Sequence, residues 1–298
     1  MYLFFRNLKP SKYIITRHDI WPNHIVFLKL ISCKLFLINA NLPKESNRNL
    51  ILSSLYRFLF SKFNHIHTVS DNMKKKLNNL ICGDNIRILE DTRIEQILHR
   101  KEQNNKSILN NSFYESKNIL FGSIEENDID IIFNSISIYN KQNKNKYIFV
   151  PHEPKNNLIL MIENNLNRLK LSSAKYTKGY NNEDAIIIDN VGILPELYSY
   201  STISYIGCGF GKGVHNVFEP AVYNNLICFG PNYFILNEAI EMVENELAFV
   251  VNTSEDLVDF LNKINDDIYI TNKSNEITSY IKSKEKSAQK IVNEILQL

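Results

Sequence analysis

The chain has 298 residues, 44% of them hydrophobic and 22% charged, enough to bury a core in about two domains. Its 34 basic and 32 acidic residues leave a formal net charge of +2, which argues against a nucleic-acid partner. Four dispersed cysteines, Cys33, Cys82, Cys208 and Cys228, form no CxxC pair, so a disulfide framework and a zinc site are both disfavoured.

Short apolar runs alternate with helical patterns from end to end. The first third predicts strands at Tyr13–Thr16, Lys34–Ile38 and His65–Val69, with helices at Pro22–Ile31 and Asp71–Leu80. Between them, Leu50–Phe63 is apolar and aromatic with Arg57 and Lys62 interleaved; it fits a core-facing helix or one lying on a membrane surface. No apolar run reaches the roughly 18 residues of a membrane span. The polar stretch Lys101–Ser107, extended by Asn110 and Asn111, has the composition of a linker. Beyond it, strands are predicted at Asn118–Gly122, Tyr147–Val150, Ala185–Ile188, Thr202–Ile206, Leu226–Phe229 and Ala248–Val251. Helices at Asp128–Tyr139, Asn156–Leu169, Phe234–Glu244 and Leu257–Ile264 alternate with them. A last helix, about Glu276 to Leu298, carries Ile277, Ile281, Ala288, Ile291, Val292 and Ile295 at helical spacing and needs a surface to cover. The alternation predicts an α/β fold of parallel sheets with crossover helices.

Four of the nine glycines, Gly207, Gly209, Gly211 and Gly213, fall within seven residues. Such a concentration suggests positive φ angles and backbone bare enough for a ligand to approach. The run follows a predicted strand and precedes a helix whose first turn holds Pro220, an arrangement that makes an anion site at a helix N-terminus. It is neither a P-loop, since Gly213 follows Lys212 where Ser or Thr is required, nor a dinucleotide fingerprint, since it comes far down the chain and the next carboxylate, Glu219, is only six residues past the last glycine. Ligands of open parallel sheets bind beyond the carboxyl ends of the strands. Ser123, Pro151-His152-Glu153, Asp189-Asn190-Val191-Gly192, the glycine run with His215, Asn216 and Glu219, and Gly230-Pro231-Asn232-Tyr233 all sit at such ends. Together they predict a nucleotide-sugar site from about residue 112 onward, with backbone amides for phosphate and a carboxylate for ribose.

The segments Asp189–Leu194, Gly209–Pro220 and Phe229–Tyr233 resemble the donor domain of the 3-deoxy-D-manno-octulosonic acid (Kdo) transferases of lipid A assembly. Asp19-Ile-Trp-Pro-Asn23, Ile38-Asn-Ala-Asn41 and Asp91-Thr-Arg93 resemble that family's signatures in the same order. The resemblance implies a GT-B fold of two Rossmann-like domains: a partial acceptor-side domain at 1–100, a CMP-Kdo-binding domain at 112–270, and a C-terminal helix at 271–298. It implies an inverting transfer of Kdo from CMP-Kdo to a lipid A precursor such as lipid IVA, with no cofactor and no metal. The work would be done peripherally at the cytoplasmic face of a bacterial inner membrane. Ser123, Pro151, His152, Glu153, Asn190, Gly192, Gly209, Gly211, Gly213, His215, Asn216 and Glu219 would surround the donor. His152 stands where many relatives have arginine, which predicts a pH-dependent charge at the phosphate.

The family's glutamate general base belongs to a motif that would lie before Met1, so the first domain reads as short. Asp19, just past a strand and beside Trp21, is the candidate base; its alternative role is to cap the helix that begins near Pro22. Arg17 and His18 are candidates for holding the phosphates of the acceptor. Two other readings stay open: a non-catalytic remnant that binds CMP or a partner, and a nucleotide-sugar epimerase on the same fold.

Overall fold

The computed structural model describes residues 2–17, 19–40, 50–81, 85–89, 91–104, 107–114, 116–140, 145–285 and 287–297. The chain divides into two compact units, residues 1–95 with 284–298 and residues 96–283.

Among the described residues, the first unit holds a four-stranded parallel sheet: β1 (Lys12–Thr16), β2 (Lys34–Ala40), β3 (His65–Thr68) and β4 (Ile86–Ile88), in that spatial order. Strand alternation divides β2 between two cores. Leu35 and Leu37 pack with Ile25, Leu28 and Ile66, whereas Phe36 points to the other face and meets Ile291 and Ile295. The helix Pro22–Leu30 begins with proline at N1, where a missing N–H costs nothing. The helix Asp71–Leu80 is capped by Ser70, whose Oγ accepts from the Met73 amide at 3.2 Å. Of the apolar stretch at 50–63, Leu59, Phe60 and Phe63 are buried, while Leu55 and Phe58 remain exposed.

The C-terminal segment departs from the expected single helix. Asp267–Ser283 and Ser287–Gln297 are separate helices, because Ser283-Lys-Glu-Lys-Ser287 offers no apolar side chain to bury. Ile277 and Ile281 are buried on the first, whose Ser274 Oγ donates to the Asn224 carbonyl at 3.0 Å. The second covers the Phe36 face of the first unit. Its Glu294 meets the buried His67 at 3.2 Å and also pairs with Arg87, and Lys12 Nζ donates to the Ile295 carbonyl at 2.5 Å.

Among the described residues, the second unit holds seven parallel strands: β5 (Asn118–Ile124), β6 (Lys146–Pro151), β7 (Ser173–Lys175), β8 (Ala185–Ile187), β9 (Ile203–Ile206), β10 (Leu226–Phe229) and β11 (Ala248–Val250). Their order is β11-β10-β9-β5-β6-β8-β7. β8, β9 and β10 are buried throughout, as strands covered on both faces must be. From β5 the chain builds outward through β6, then returns to place β9 on the other side of β5. In open parallel sheets such a reversal, here at the carboxyl ends of β5 and β9, is the usual place for a ligand. The expected linker is firmly bonded instead: the helix Arg93–Glu102 runs into it, Lys101 Nζ donates to the Val222 carbonyl at 2.6 Å, and Asn104 Nδ2 reaches the Tyr223 hydroxyl at 3.1 Å.

Candidate functional site

The glycine run leaves β9 at the reversal point, and its first glycines serve packing rather than ligand approach. A Cβ on Gly207 would lie 2.4 Å from the Ser123 carbonyl oxygen, and one on Gly209 would lie 2.5 Å from the Gly230 nitrogen. Backbone therefore meets backbone where the ends of β5, β9 and β10 converge. Gly211 is less confined, with the flexible Asn127 amide 3.0 Å away, and Gly213 takes φ +122°. Cys208 and Ser123 face each other in left-handed conformations, φ +67° and +53°, with the Cys208 thiol 3.4 Å from the Ser123 carbonyl.

This strained turn is held by Asp128, which is fully buried. Its Oδ2 accepts from the Glu125 and Cys208 amides, each at 2.9 Å, and its Oδ1 accepts from the Tyr205 hydroxyl at 2.8 Å. Burial pushes the Asp128 carboxyl above its ordinary pKa against the pull of these bonds. Burial also pushes the Cys208 thiol far up, with Glu125 and Asp128 adding to it, which disfavours the thiolate.

Downstream, the expected helix N-terminus is modest. The helix Phe218–Val222 is five residues long, and Val214–Val217 separate it from the glycines. Asn216 Oδ1 accepts from the Phe218 amide at 3.0 Å, and Asn216 Nδ2 donates to Glu219 at 3.0 Å. An amide already capped within so short a helix leaves little dipole for an anion. The Gly211 and Gly213 amides are also occupied, both donating to the Cys208 carbonyl at 3.0 Å, which leaves the Lys212 side chain as the loop's group for an anion.

Beside the turn lies an open cavity of about 320 Å³ lined by Glu125, Glu126, Asn127, His152, Glu153, Lys155, Leu158 and Lys212. The His152 ring stacks on His215 with centroids 4.2 Å apart, and His215 Nε2 lies 3.0 Å from Cys208 Sγ. Burial, then the neighbouring His152, lowers the His215 pKa, with Glu125 opposing. Glu153 and Lys155 pair at 2.5 Å on the exposed rim, and that pairing lowers the Glu153 pKa. The structure thus gathers His152, Glu153, Gly211 and His215 at one place, with Ser123 and Gly209 beneath and Pro151 buried at the end of β6. Asn190, Gly192, Asn216 and Glu219 do not line this cavity. Glu125, Asn127, Lys155 and Lys212 are additions. The first two follow β5 at the same sheet edge, so the edge rule applied to the whole run Ser123–Asp128 would have found them.

Residues 1–96 match the family of 3-deoxy-D-manno-octulosonic-acid transferases (kdotransferases). Along 314 aligned positions the chain is 27% identical to the 3-deoxy-D-manno-octulosonic acid transferase of Rickettsia prowazekii, covering 99% of this chain and 64% of that protein. The chain is similar to the Kdo transferases in sequence. It spans 64% of the length of that curated relative. In fold it is similar to a Rickettsia africae glycosyltransferase, with TM-score 0.64 at 13% identity over 99% of this chain and 79% of that one. It is also similar to the UDP-GlcNAc 2-epimerase of Neisseria meningitidis, with TM-score 0.71 at 14% identity over 100% of this chain and 79% of that one. The shared architecture is GT-B, two units built on parallel sheets.

Two of the stretches that resemble Kdo transferases meet in the first unit. Asn39, with φ +50°, donates to Thr92 Oγ1 at 2.8 Å and to Asp91 at 3.3 Å, and Asp91 accepts from Arg93 Nε at 3.0 Å with both oxygens. This network fixes the loop ends after β2 and β4. Asp19 is exposed, its amide donating to the Thr16 carbonyl at 3.3 Å. Both expected settings for it are absent among the described residues: the N-cap of the next helix is Trp21, without a side-chain bond, and Trp21 is itself 64% exposed and gives no apolar shelter. Arg17 is half-buried with φ +58°; His18 lies outside the described residues.

Three histidines give the fold a pH dependence. Burial is the largest cause lowering the pKa of His65, His67 and His215 from 6.5, against Glu294 for the first two and Glu125 for the third. A histidine with a depressed folded pKa stabilises the fold above its unfolded value and loses that contribution as pH falls through the folded one. The melting temperature is therefore expected to fall as pH drops below about 6.5. A melting temperature flat from pH 7.5 to 5 would contradict this assignment.

Proposed function

We propose that this chain transfers Kdo from CMP-Kdo to a lipid A precursor, as an inverting, metal-independent glycosyltransferase. The observation that carries the reading is the similarity to a Kdo transferase along 99% of the chain. In this reading the second unit binds the donor at its sheet edge. Lys212 and His152 receive the phosphate, and Glu219 accepts from ribose hydroxyls. The acceptor hydroxyl oxygen forms a bond to the anomeric carbon of Kdo while the bond from that carbon to the phosphate oxygen breaks. CMP departs with the electron pair, and the hydroxyl proton passes to a base. Within the chain the proposed base is Asp19, and Arg17 and His18 orient the acceptor's phosphates.

The proposed workplace is a membrane surface. Leu3, Phe4 and Leu8 are 61–68% exposed on and beside the helix Tyr2–Leu8, with Arg6 and Lys9 adjacent, a pairing suited to anionic lipid. No described helix is long and apolar enough to cross a membrane. Co-sedimentation with phosphatidylglycerol vesicles should fall when Leu3 and Phe4 become serine; unchanged binding would remove this patch from the reading.

The deciding experiment supplies CMP-Kdo and lipid IVA to the purified chain and follows CMP binding by calorimetry on the same sample. Transfer is expected, with Asp19→Asn lowering kcat by about 10² or more. Glu219→Gln is expected to weaken CMP binding by about 1–3 kcal/mol. CMP binding without transfer would favour a non-catalytic binding protein. Turnover of a free nucleotide sugar without lipid would favour an epimerase.

A further inference from the structure

The loop that follows β8 is pinned at both ends and presents an unanswered acceptor between them. At its start, Asp189 accepts from the Thr177 amide at 2.9 Å and from the Thr177 hydroxyl at 2.5 Å. At its end, the Gly192 carbonyl accepts from Arg100 Nη2 at 2.8 Å. Gly192 has φ +96°, and a Cβ there would meet nothing within 4 Å. Backbone conformation, not crowding, therefore demands glycine, and that conformation turns the carbonyl to the guanidinium. Between the pins, Asn190 Oδ1 is buried with no hydrogen-bond partner among the described residues. A buried acceptor without a partner costs free energy that a bound N–H or O–H donor would recover.

Arg100 is itself held in place. Its Nε and Nη2 form a fork onto Glu196, at 2.5 and 2.9 Å, the rigid geometry that only arginine offers a carboxylate. Glu196 in turn stands in the short helix Leu194–Leu197 that leaves the loop, and Asn104 Nδ2 donates to its carbonyl at 3.2 Å. The Glu219 carboxylate acts on the same guanidinium through space.

We propose that Arg100, clamped by Glu196, is a positioning residue for the donor: it fixes the Gly192 carbonyl so that Asn190 presents its side-chain oxygen to an N–H or O–H group of the nucleotide sugar. The assignment rests on the donor-binding reading of the second unit. It carries a specific signature, because Arg100 acts through Asn190 and not on the ligand.

The test is calorimetric titration of the full chain with CMP. Arg100→Ala and Asn190→Ala are each expected to weaken binding about tenfold, and the double variant to bind no more weakly than the worse single one. Arg100→Lys, which keeps the charge and loses the fork, is expected to stay within about threefold of Arg100→Ala. Glu196→Gln loosens the clamp without emptying it and is expected to give an intermediate loss, which guards against a variant that merely fails to fold. Wild-type affinity in Arg100→Ala, or losses that multiply in the double variant, would overturn the inference. No CMP binding by the unaltered chain would instead remove the donor-binding reading, and this inference with it.

Discussion

Gly209→Ala is expected to destabilise the second unit by ~3 kcal/mol, the upper range for forcing an extra methyl into a filled core. The new Cβ would stand 2.5 Å from the nitrogen and 2.7 Å from the Cα of Gly230, and neither atom can step aside as a side chain does. Gly207→Ala meets a similar wall, at 2.4 Å from the Ser123 carbonyl oxygen and 2.6 Å from the Ile124 Cα. Gly211→Ala should be mild by comparison, below about 1 kcal/mol, since the Asn127 side chain can rotate away. Urea unfolding of the three variants measures the contrast. Equal losses at positions 209 and 211 would mean that the glycines are needed for a common reason, and the packing argument would fail.

Asp128→Ala is expected to cost about 3–5 kcal/mol, a large share of the 5–15 kcal/mol that holds a typical domain together. The substitution strands the buried Glu125 and Cys208 amides and the Tyr205 hydroxyl. Asp128→Asn should cost far less. An asparagine placing its oxygen at the Oδ2 position keeps both amide bonds, and its NH₂ then faces a tyrosine oxygen able to accept. The Asn variant also removes a pH term. Because the folded Asp128 has a raised pKa, the native carboxyl stabilises the fold below its unfolded value of 3.8 and loses that contribution as pH rises through its folded value. Thermal melts of both variants distinguish the cases, and equal destabilisation by Ala and Asn would show that the negative charge itself is required.

The sheets were legible because their strands are continuous apolar runs separated by helical patterns, and runs such as Leu226–Phe229 permit little else. β4 and β7 escaped notice because three residues carry no period, and Ser173–Lys175 is not even apolar. The sheet-edge rule singles out His152, Ser123 and the glycine run, which the structure brings to one edge, but it cannot tell what each glycine is for. A glycine required by a neighbouring backbone and one required by a ligand look alike until the third strand is in view. Asp128 looked like the start of a helix, and it does close a capping box with Glu125; its grip on the Cys208 amide spans 80 positions and leaves no local trace. Arg100 was invisible for the same reason, since its partners Gly192 and Glu196 lie more than 90 positions away.

The cover of the Phe36 face has a consequence for how the protein is made. Phe36 is made more than 250 residues before Ile291 and Ile295, which bury it. Chains usually settle their N-terminal part first during synthesis. Here the Phe36 face of the first sheet stays uncovered while the intervening residues are made, exposed to chaperones or to other nascent copies. A chain cut just before Ser287 would keep every described strand of both sheets and still carry that face open.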